Sequence, residues 1–409
     1  MGRACDRYVV LLGPNAALCE RARARGLGVI VVDNQASLAP GVVGLADHVL
    51  LTDYTDTGLV TDIIANFGRR FDLVGVLSLT EKGLLPQAIL NAVLGYADND
   101  VAAVRRVVDK GRMRARLAGD PQLAVPFRVA DDAQAVTGFA AQAGFPVIVK
   151  PVDGAASVGV RLLETQADID RADAVIRFPV LAETFYAGRE YSAEAWSYDG
   201  HHHIVAITEK TLFGDGAGRF VEAGHCVPAP IAPAERERIA RCVCACLCML
   251  GIRWGLTHTE VIVTDERMVI VETHTRNGGD HIVDLVRQAY DVDLLDIAIA
   301  IRCGQEPPER AGDTPNHAAA IRYFTAPAGT LCGIEGLATA RTSPGVVDLH
   351  LDVHPSDHIG DITSSGTRIG YVMTIGQTPN EAISLADQAA ANVQFDIPQA
   401  DTPSLHPQK

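Results

Sequence analysis

The chain has 409 residues, 48% hydrophobic and 21% charged, and carries 50 acidic against 35 basic side chains for a net charge of -15. That length exceeds one small core and suits two or three globular domains. The acidic balance argues against affinity for nucleic-acid backbone or an anionic membrane, but local cations, backbone amides and metal can still hold an anion such as a nucleotide.

At the N-terminus, YVVLLG is too short for a secretory hydrophobic region, and MGRACD lacks the Ser or Thr of a myristoylation signal at its sixth position. No apolar run approaches the roughly 18–20 residues that cross a bilayer. The expected location is the cytoplasm. RYVVLLGPN reads as a strand, AALCERARARG as a helix, LGVIVVDN and DLVGVLSLT as further strands. Strands alternating with helices imply a parallel α/β sheet. Its first turn, GPNAA, is not the G-x-G-x-x-G of a dinucleotide site. One helical segment, DNDVAAVRRVVDKGRMRARLAG, closes this unit.

From Pro126 the texture changes to short strands separated by turn residues, with helices at DDAQAVTGFAAQAG, PAERERIARCVCACLCMLG, HIVDLVRQAY and DLLDIAIAIRCG. This implies a largely antiparallel, α+β region. Nine cysteines, an odd number, do not suggest a disulfide framework. The four in RCVCACLCML sit two apart, unlike a zinc C-x-x-C pair, and the stripe Ile239, Val243, Leu247, Leu250 predicts helix packing. The HHH at 201–203 follows YDG and reads as a solvated turn. GQEPPERAGDTPN is a linker, and a third unit of short strands and one helix follows it. The expected division is 1–105, 106–310 and 311–400, with a flexible tail at 401–409.

HTEVIVTDERMVIVETH reads as a hairpin. With Asp265–Arg267 as its loop, Glu260 falls opposite Glu272; a two-residue loop makes them diagonal neighbours instead. Period-two alternation then puts Glu260, Ile262, Ile270, Glu272 and His274 on one face, and Val261, Val263, Val269 and Val271 on the other. Two carboxylates so close repel unless a cation lies between them. Mg²⁺ suits the place because it takes oxygen ligands and keeps positions for phosphates. The alternative is a wet sheet face bearing two unrelated acids.

FPVIVKPVDGAASVGVRLL reads as a strand, a glycine-containing loop and a strand, with Lys150 before the loop. Gly154, Ser157 and Gly159 would let backbone amides approach phosphate oxygens, with Lys150 alongside as a point charge. No Walker A sequence occurs in the chain.

Taken together, DKGRMRARL, FPVIVKPVDGAASVGV, LAETFYAGREYS, HTEVIVTD and VETHTRNGGD resemble the ordered motifs of the ATP-grasp superfamily. More narrowly they resemble its carboxylate–amine ligases, which include the amino-acid (dipeptide) ligases. The similarity spans all three units and reaches SGTRIGYVMTIGQTPNEA. It implies an ATP-grasp fold with a Rossmann-like N-terminal α/β unit and a C-terminal α+β portion. By this resemblance Lys110 and Lys150 clamp ATP, Asp153 to Val160 closes over its phosphates, Glu183 and the backbone near Phe185 meet adenine, and Glu190 meets the ribose. Glu260 and Glu272 match the metal pair. His274 stands where the family usually has Asn; it either ligates, which favours Mn²⁺ over Mg²⁺, or orients a ligand from outside.

Arg276 matches the arginine that grips the substrate carboxylate, a task for its planar fork. Gly278 and Gly279 expose backbone N–H groups, suited to a tetrahedral oxyanion. RFVEAGHCVPAP resembles the Glu-x-Gly-His-x-x-Pro segment, with Glu222 for a substrate ammonium and His225 for the transferring phosphoryl group. Lys210 and Arg368 are further candidates. The implied reaction joins a carboxylate, expected to be that of an amino acid, to an amine through an acyl phosphate, releasing ADP and phosphate. The partners expected are therefore ATP, a small acid and an amine, without nucleic acid or membrane, in a homodimer. Two other readings stand beside it: bicarbonate activation as in biotin carboxylases, and a non-catalytic nucleotide-binding module.

Overall fold

The computed structural model describes residues 6–153, 158–172, 174–214, 220–308 and 314–398. Gly154, Ser157, part of the 304–316 linker and the 401–409 tail lie outside the described residues.

The N-terminal unit is a parallel sheet in the order His48–Leu51, Gly28–Asp33, Arg7–Leu12, Asp72–Leu77. Its strands are near-continuous apolar runs because helices cover both faces; Gly28–Asp33 is buried at every position. Asn15 starts the first crossover helix, Ala16–Ala24, by accepting from the Leu18 amide.

The single helix expected over 98–119 is two, Val101–Val108 and Lys110–Leu117. The break is Asp109, whose extended backbone leaves the helix while its side chain accepts from the Arg112 amide. A residue that caps its own successors ends one helix and begins the next. The break places Lys110 at the first turn of the second helix, with its amide donating to the Val152 carbonyl at 3.1 Å.

Beyond it, a four-stranded antiparallel sheet runs Phe127–Ala130, Val180–Thr184, Val147–Pro151, Arg161–Leu163. Helices Ala133–Ala143 and Gln166–Ala172 bury Val136, Phe139 and Ile169 against it.

The larger sheet has eight antiparallel strands: Met268–His274, Gly255–Val263, Arg189–Tyr198, His201–Leu212, Glu222–Val227, Ala318–Tyr323, Gly370–Gly376, Val346–Leu351. The strands after the linker thus extend the same sheet. His201–His203 do not form the turn; Asp199 and Gly200 make it, both with positive φ, and the histidines open the next strand. His202 reaches Ser197 Oγ at 2.7 Å and His203 stacks on Trp196.

Helix Pro233–Leu250 turns Ile239, Val243, Cys246, Leu247 and Leu250 onto this sheet, against Tyr191, Val261 and Ile270. Cys246 is wholly buried and burial pushes its thiol up, whereas Cys248 is exposed. The cysteines are thus split between the two faces of the helix by the same 3.6-residue period that selects its leucines. Leu247→Ala should lower unfolding stability by about 2–5 kcal/mol, as cavity-forming core changes do. Cys248→Ser should stay within about 0.5 kcal/mol. Urea unfolding of both variants checks the contrast.

Candidate active site

The site begins at the hairpin Gly255–Val263 and Met268–His274. Glu260 pairs directly with Glu272, but by a different route from the three-residue loop expected. Thr264 and Arg267 close a four-residue turn, Val263 faces Met268, and a bulge between Glu260 and Val261 restores the register. The bulge sets Val271 and Glu272 together opposite Glu260. It also corrects the faces. Ile270 joins Val261 and Val263 in the core, while Val269 and Val271 line a cleft with Glu260, Ile262 and Glu272.

This cleft, about 640 Å³, lies between the two antiparallel sheets and brings together Lys110, Lys150, Glu183, Phe185, Glu190, Lys210 and the Glu260–Glu272 pair. Gly159, with φ +79°, stands in the described end of the loop beyond Lys150. Lys150 Nζ lies 2.8 Å from Glu183, and Arg114, the largest fully buried side chain, binds the other Glu183 oxygen. Burial alone would raise the Glu183 carboxyl, yet the Arg114 and Lys150 charges hold it down at about 2.

Glu183 is therefore a buried clamp for Lys150 and not a free acceptor for adenine. The Phe185 amide is also taken, donating to the Pro146 carbonyl at 3.2 Å. Tyr186 and Ala187 continue the cleft wall.

Across the cleft, Lys110 pairs with Glu272 at 3.0 Å. Lys210 is gripped by Glu190 at 2.6 Å, Glu260 at 2.8 Å and Glu222 at 3.3 Å. Its ammonium joins Glu190 and Glu260 in the cleft to Glu222 on the far side. Burial opposes the Glu272 charge, but the His274 hydrogen bond and the neighbouring cations keep its carboxyl well below the usual range.

His274 is not arranged as a third metal ligand. Its Nε2 lies 3.0 Å from Glu272 and its Nδ1 3.2 Å from Glu81, so both ring nitrogens face carboxylates. Among the described residues, no three His, Cys, Asp or Glu side chains are grouped as metal ligands. Two facing carboxylates remain, which suits Mg²⁺ because that ion commonly takes one or two protein carboxylates and completes its shell with phosphate and water.

Arg276 follows at the strand end, its Nε donating to Glu81 at 2.8 Å. The Gly278 amide is not available to an oxyanion, because it donates to Glu194 at 3.0 Å. Glycine is needed there for space: a Cβ would lie 2.8 Å from His258 Nδ1 and 3.2 Å from Glu194. Gly279 has nothing within 4 Å of such a Cβ, so it is the open member of the pair.

On the far side, Glu222 accepts from Ser365 at 3.0 Å, and His225 Nε2 lies 3.3 Å from Asp280. Arg368 binds Asp280 through both terminal nitrogens, at 2.9 and 2.5 Å, and lies over the Tyr323 ring. With its Nε on the Ser365 carbonyl as well, Arg368 ties the C-terminal portion to the site.

Four participants escaped sequence reasoning. Glu81 comes from the N-terminal unit, Arg114 lies four residues after Lys110 on one helix face, and Glu194 and His258 are buried on neighbouring strands. The last two carried a signal: polar residues in apolar strands, spaced two from Glu190–Ser192 and from Glu260, face the same way as the site. The contact between Glu81 and Arg276 carried none, since 195 positions separate them.

Residues 19–96 match the ATP-grasp N-terminal domain, 143–284 the ATP-grasp domain, and 322–397 the L-amino acid ligase C-terminal domain 2. The chain therefore carries an ATP-grasp domain, with the N-terminal domain of that fold before it and an L-amino acid ligase C-terminal domain after it.

Protein y4rH of Sinorhizobium fredii is 27% identical over 92% of this chain and 80% of its own length. Human carnosine synthase 1 is 24% identical over 70% of this chain and 38% of its own, and alanine–anticapsin ligase of Bacillus subtilis is 23% identical over 60% and 57%. The chain thus spans well under two thirds of both of these ligases. The L-amino acid ligase of Bacillus licheniformis shares the fold at a TM-score of 0.81, with 19% identity, covering 97% of this chain and all of that one. An ADP complex of N5-carboxyaminoimidazole ribonucleotide synthetase superposes at 0.73 with 14% identity, over 94% of this chain and 96% of that one.

The buried ion pairs set the pH response. Burial would lower the His258 imidazole, but Glu194, 2.5 Å away, and Glu260 raise it from 6.5 to about 10. A raised folded value stabilises fully below the unfolded value and is lost as pH climbs through the folded one. Stability should therefore fall between about pH 6.5 and 10, and His258→Gln should flatten that limb. Denaturant midpoints of both proteins across this range check it.

Proposed function

We propose that the chain forms an amide bond between the carboxylate of an amino acid and an amine, consuming ATP through an acyl phosphate. The observation that supports this reading best is the Glu260–Glu272 pair, facing three lysines in one cleft with Arg276 at the end of the same strand. Lys110, Lys150 and Lys210 suit the triphosphate, whose developing charge they would neutralise. Tyr186 and Ala187 of the hinge and the Ile262, Val269 and Val271 wall suit the base, and Glu190 the ribose hydroxyls.

Glu260 and Glu272 offer the oxygen donors that Mg²⁺ or Mn²⁺ takes, and a bound ion would supply charge neutralisation between phosphate oxygens. The protein's share of the chemistry is positioning. Arg276 holds the acid so that one carboxylate oxygen meets the terminal phosphorus. Bond formation to that oxygen expels ADP and makes a leaving group of phosphate. An amine then attacks the acyl carbon, the C–O bond to phosphate breaks, and the amine loses its proton. Glu222 and Asp280 place negative charge on the far side, where His225 and Arg368 also stand. No side-chain nucleophile is needed.

The Glu222–His225 segment on this far side favours a ligase over bicarbonate activation, because it supplies an acid for a second, cationic substrate. Supplying ATP, Mg²⁺ and paired amino acids should release ADP and phosphate together with a mass-identified dipeptide. Turnover on bicarbonate, or tight ATP binding with no turnover on any pair, would replace this reading by one of the other two. Arg276→Lys should lose most of the turnover while ATP affinity, read by calorimetry, stays as in the parent, since a point charge cannot replace a planar fork.

A further inference from the structure

The N-terminal parallel sheet sends one side chain into the strand end of the ligase site. Glu81 begins a short 3₁₀ turn, Glu81–Gly83, just after strand Asp72–Leu77. This turn is firmly built. Ser78 Oγ donates to the Leu12 carbonyl at 2.9 Å, the Ser78 amide donates to Gln87 at 2.7 Å, and the Thr80 amide donates to Ser78 Oγ at 3.3 Å. Gly83 packs so tightly on it that a Cβ would lie 1.9 Å from Ser78 Oγ. From this base the Glu81 carboxylate meets His274 Nδ1 at 3.1 Å and Arg276 Nε at 2.8 Å.

A guanidinium offers two forks to a carboxylate: the side fork, Nε with one terminal nitrogen, and the end fork, the two terminal nitrogens. Glu81 occupies Nε. Nη1 gives one hydrogen to the Asn277 carbonyl at 2.8 Å, and Nη2 takes no partner among the described residues. The side fork thus has its Nε taken, whereas the end fork keeps both hydrogens of Nη2 and the second hydrogen of Nη1. The charge of Glu81 adds to the restraint: burial would raise its carboxyl, but His274 and Arg276 hold it down at about 2, so it stays a carboxylate in the working range.

We propose that Glu81 is a positioning residue of the carboxylate site: it closes the side fork of Arg276 and leaves the substrate acid one way to bind. This rests on the reading of Arg276 as the carboxylate receptor. It makes the N-terminal unit a participant in orientation, since a turn of its sheet decides how the acid faces the phosphate. A carboxylate on the wrong fork would be shifted by the width of a guanidinium edge, enough to misalign an in-line transfer.

The test compares Glu81→Ala with Glu81→Gln in the full chain. The alanine variant opens the side fork; the glutamine variant keeps an acceptor oxygen for Nε. With alanine, kcat should fall about tenfold or more, as expected for a misplaced reactant, while KM for the acid stays level or drops because Arg276 has gained a binding edge. KM for ATP should not move. Glutamine should restore most of the kcat. A general loosening of the fold would instead raise both KM values.

A second readout needs no turnover. Phenylglyoxal modification of Arg276, followed by peptide mass spectrometry, should speed up several-fold with alanine and stay near the parent rate with glutamine. Equal rates in all three proteins would overturn the proposal. So would a glutamine variant as impaired as alanine, or an alanine variant altered only in KM for the amine, which would make Glu81 an ammonium receptor. If no acid–amine pair yields product with the parent chain, the ligase reading fails, and the modification rates still decide whether Glu81 restrains Arg276.

Discussion

Two half-buried carboxylates facing each other across adjacent strands are the constraint on which the rest of this site depends. Glu260 and Glu272 cannot share that position without cations, because like charges in a poorly solvated place repel more strongly than they would in water. The chain supplies those cations from separate elements: Lys110 from a helix, Lys210 from the strand two places along the sheet from Glu260, and His258 from beside Glu260. Each added cation then requires its own acid, and the network spreads outward to Glu190, Glu222 and Glu194. Removing one member leaves an uncompensated charge, so the parts constrain one another.

The same logic explains the site's division into two sides. Around Lys150, Glu183 is consumed in fixing that lysine and Arg114, and the cleft is lined by paired lysines and an apolar wall. On the other side, acidic and cationic groups alternate, each already paired: Arg276, Glu222, His225, Asp280 and Arg368. The first set suits a polyanion with an aromatic base. The second suits small zwitterions, which carry both signs of charge within a few ångströms. Lys210 joins the sides, since its ammonium touches Glu190, Glu260 and Glu222 together.

Rigid placement comes from elements remote in sequence. A parallel-sheet turn provides Glu81, the break at Asp109 starts the helix that presents Lys110 and Arg114, and the C-terminal strands carry Arg368 to Asp280. Because these strands complete the eight-stranded sheet, the C-terminal portion is part of the scaffold that holds Glu222 and His225. Stability and orientation are therefore carried by one continuous set of hydrogen bonds.

The sequence by itself determined the order of elements, the parallel and antiparallel regions, and most of the side chains gathered in the cleft. Apolar alternation and turn residues are local signals, and an acid in an otherwise apolar strand stands out without any partner in view. The hairpin shows where that stops. Counting put Glu260 opposite Glu272 only through a three-residue loop; the four-residue turn reaches that pair through a bulge that alternation cannot register, which also moves the faces of Ile270, Val269 and Val271. Only the tertiary structure decided which donors were already spent: the Gly278 amide on Glu194, the Phe185 amide on Pro146, the Glu183 oxygens on Arg114 and Lys150. It alone brought in Glu81. A residue type states what a side chain can bind, whereas what remains free to bind depends on neighbours that folding brings from far along the chain.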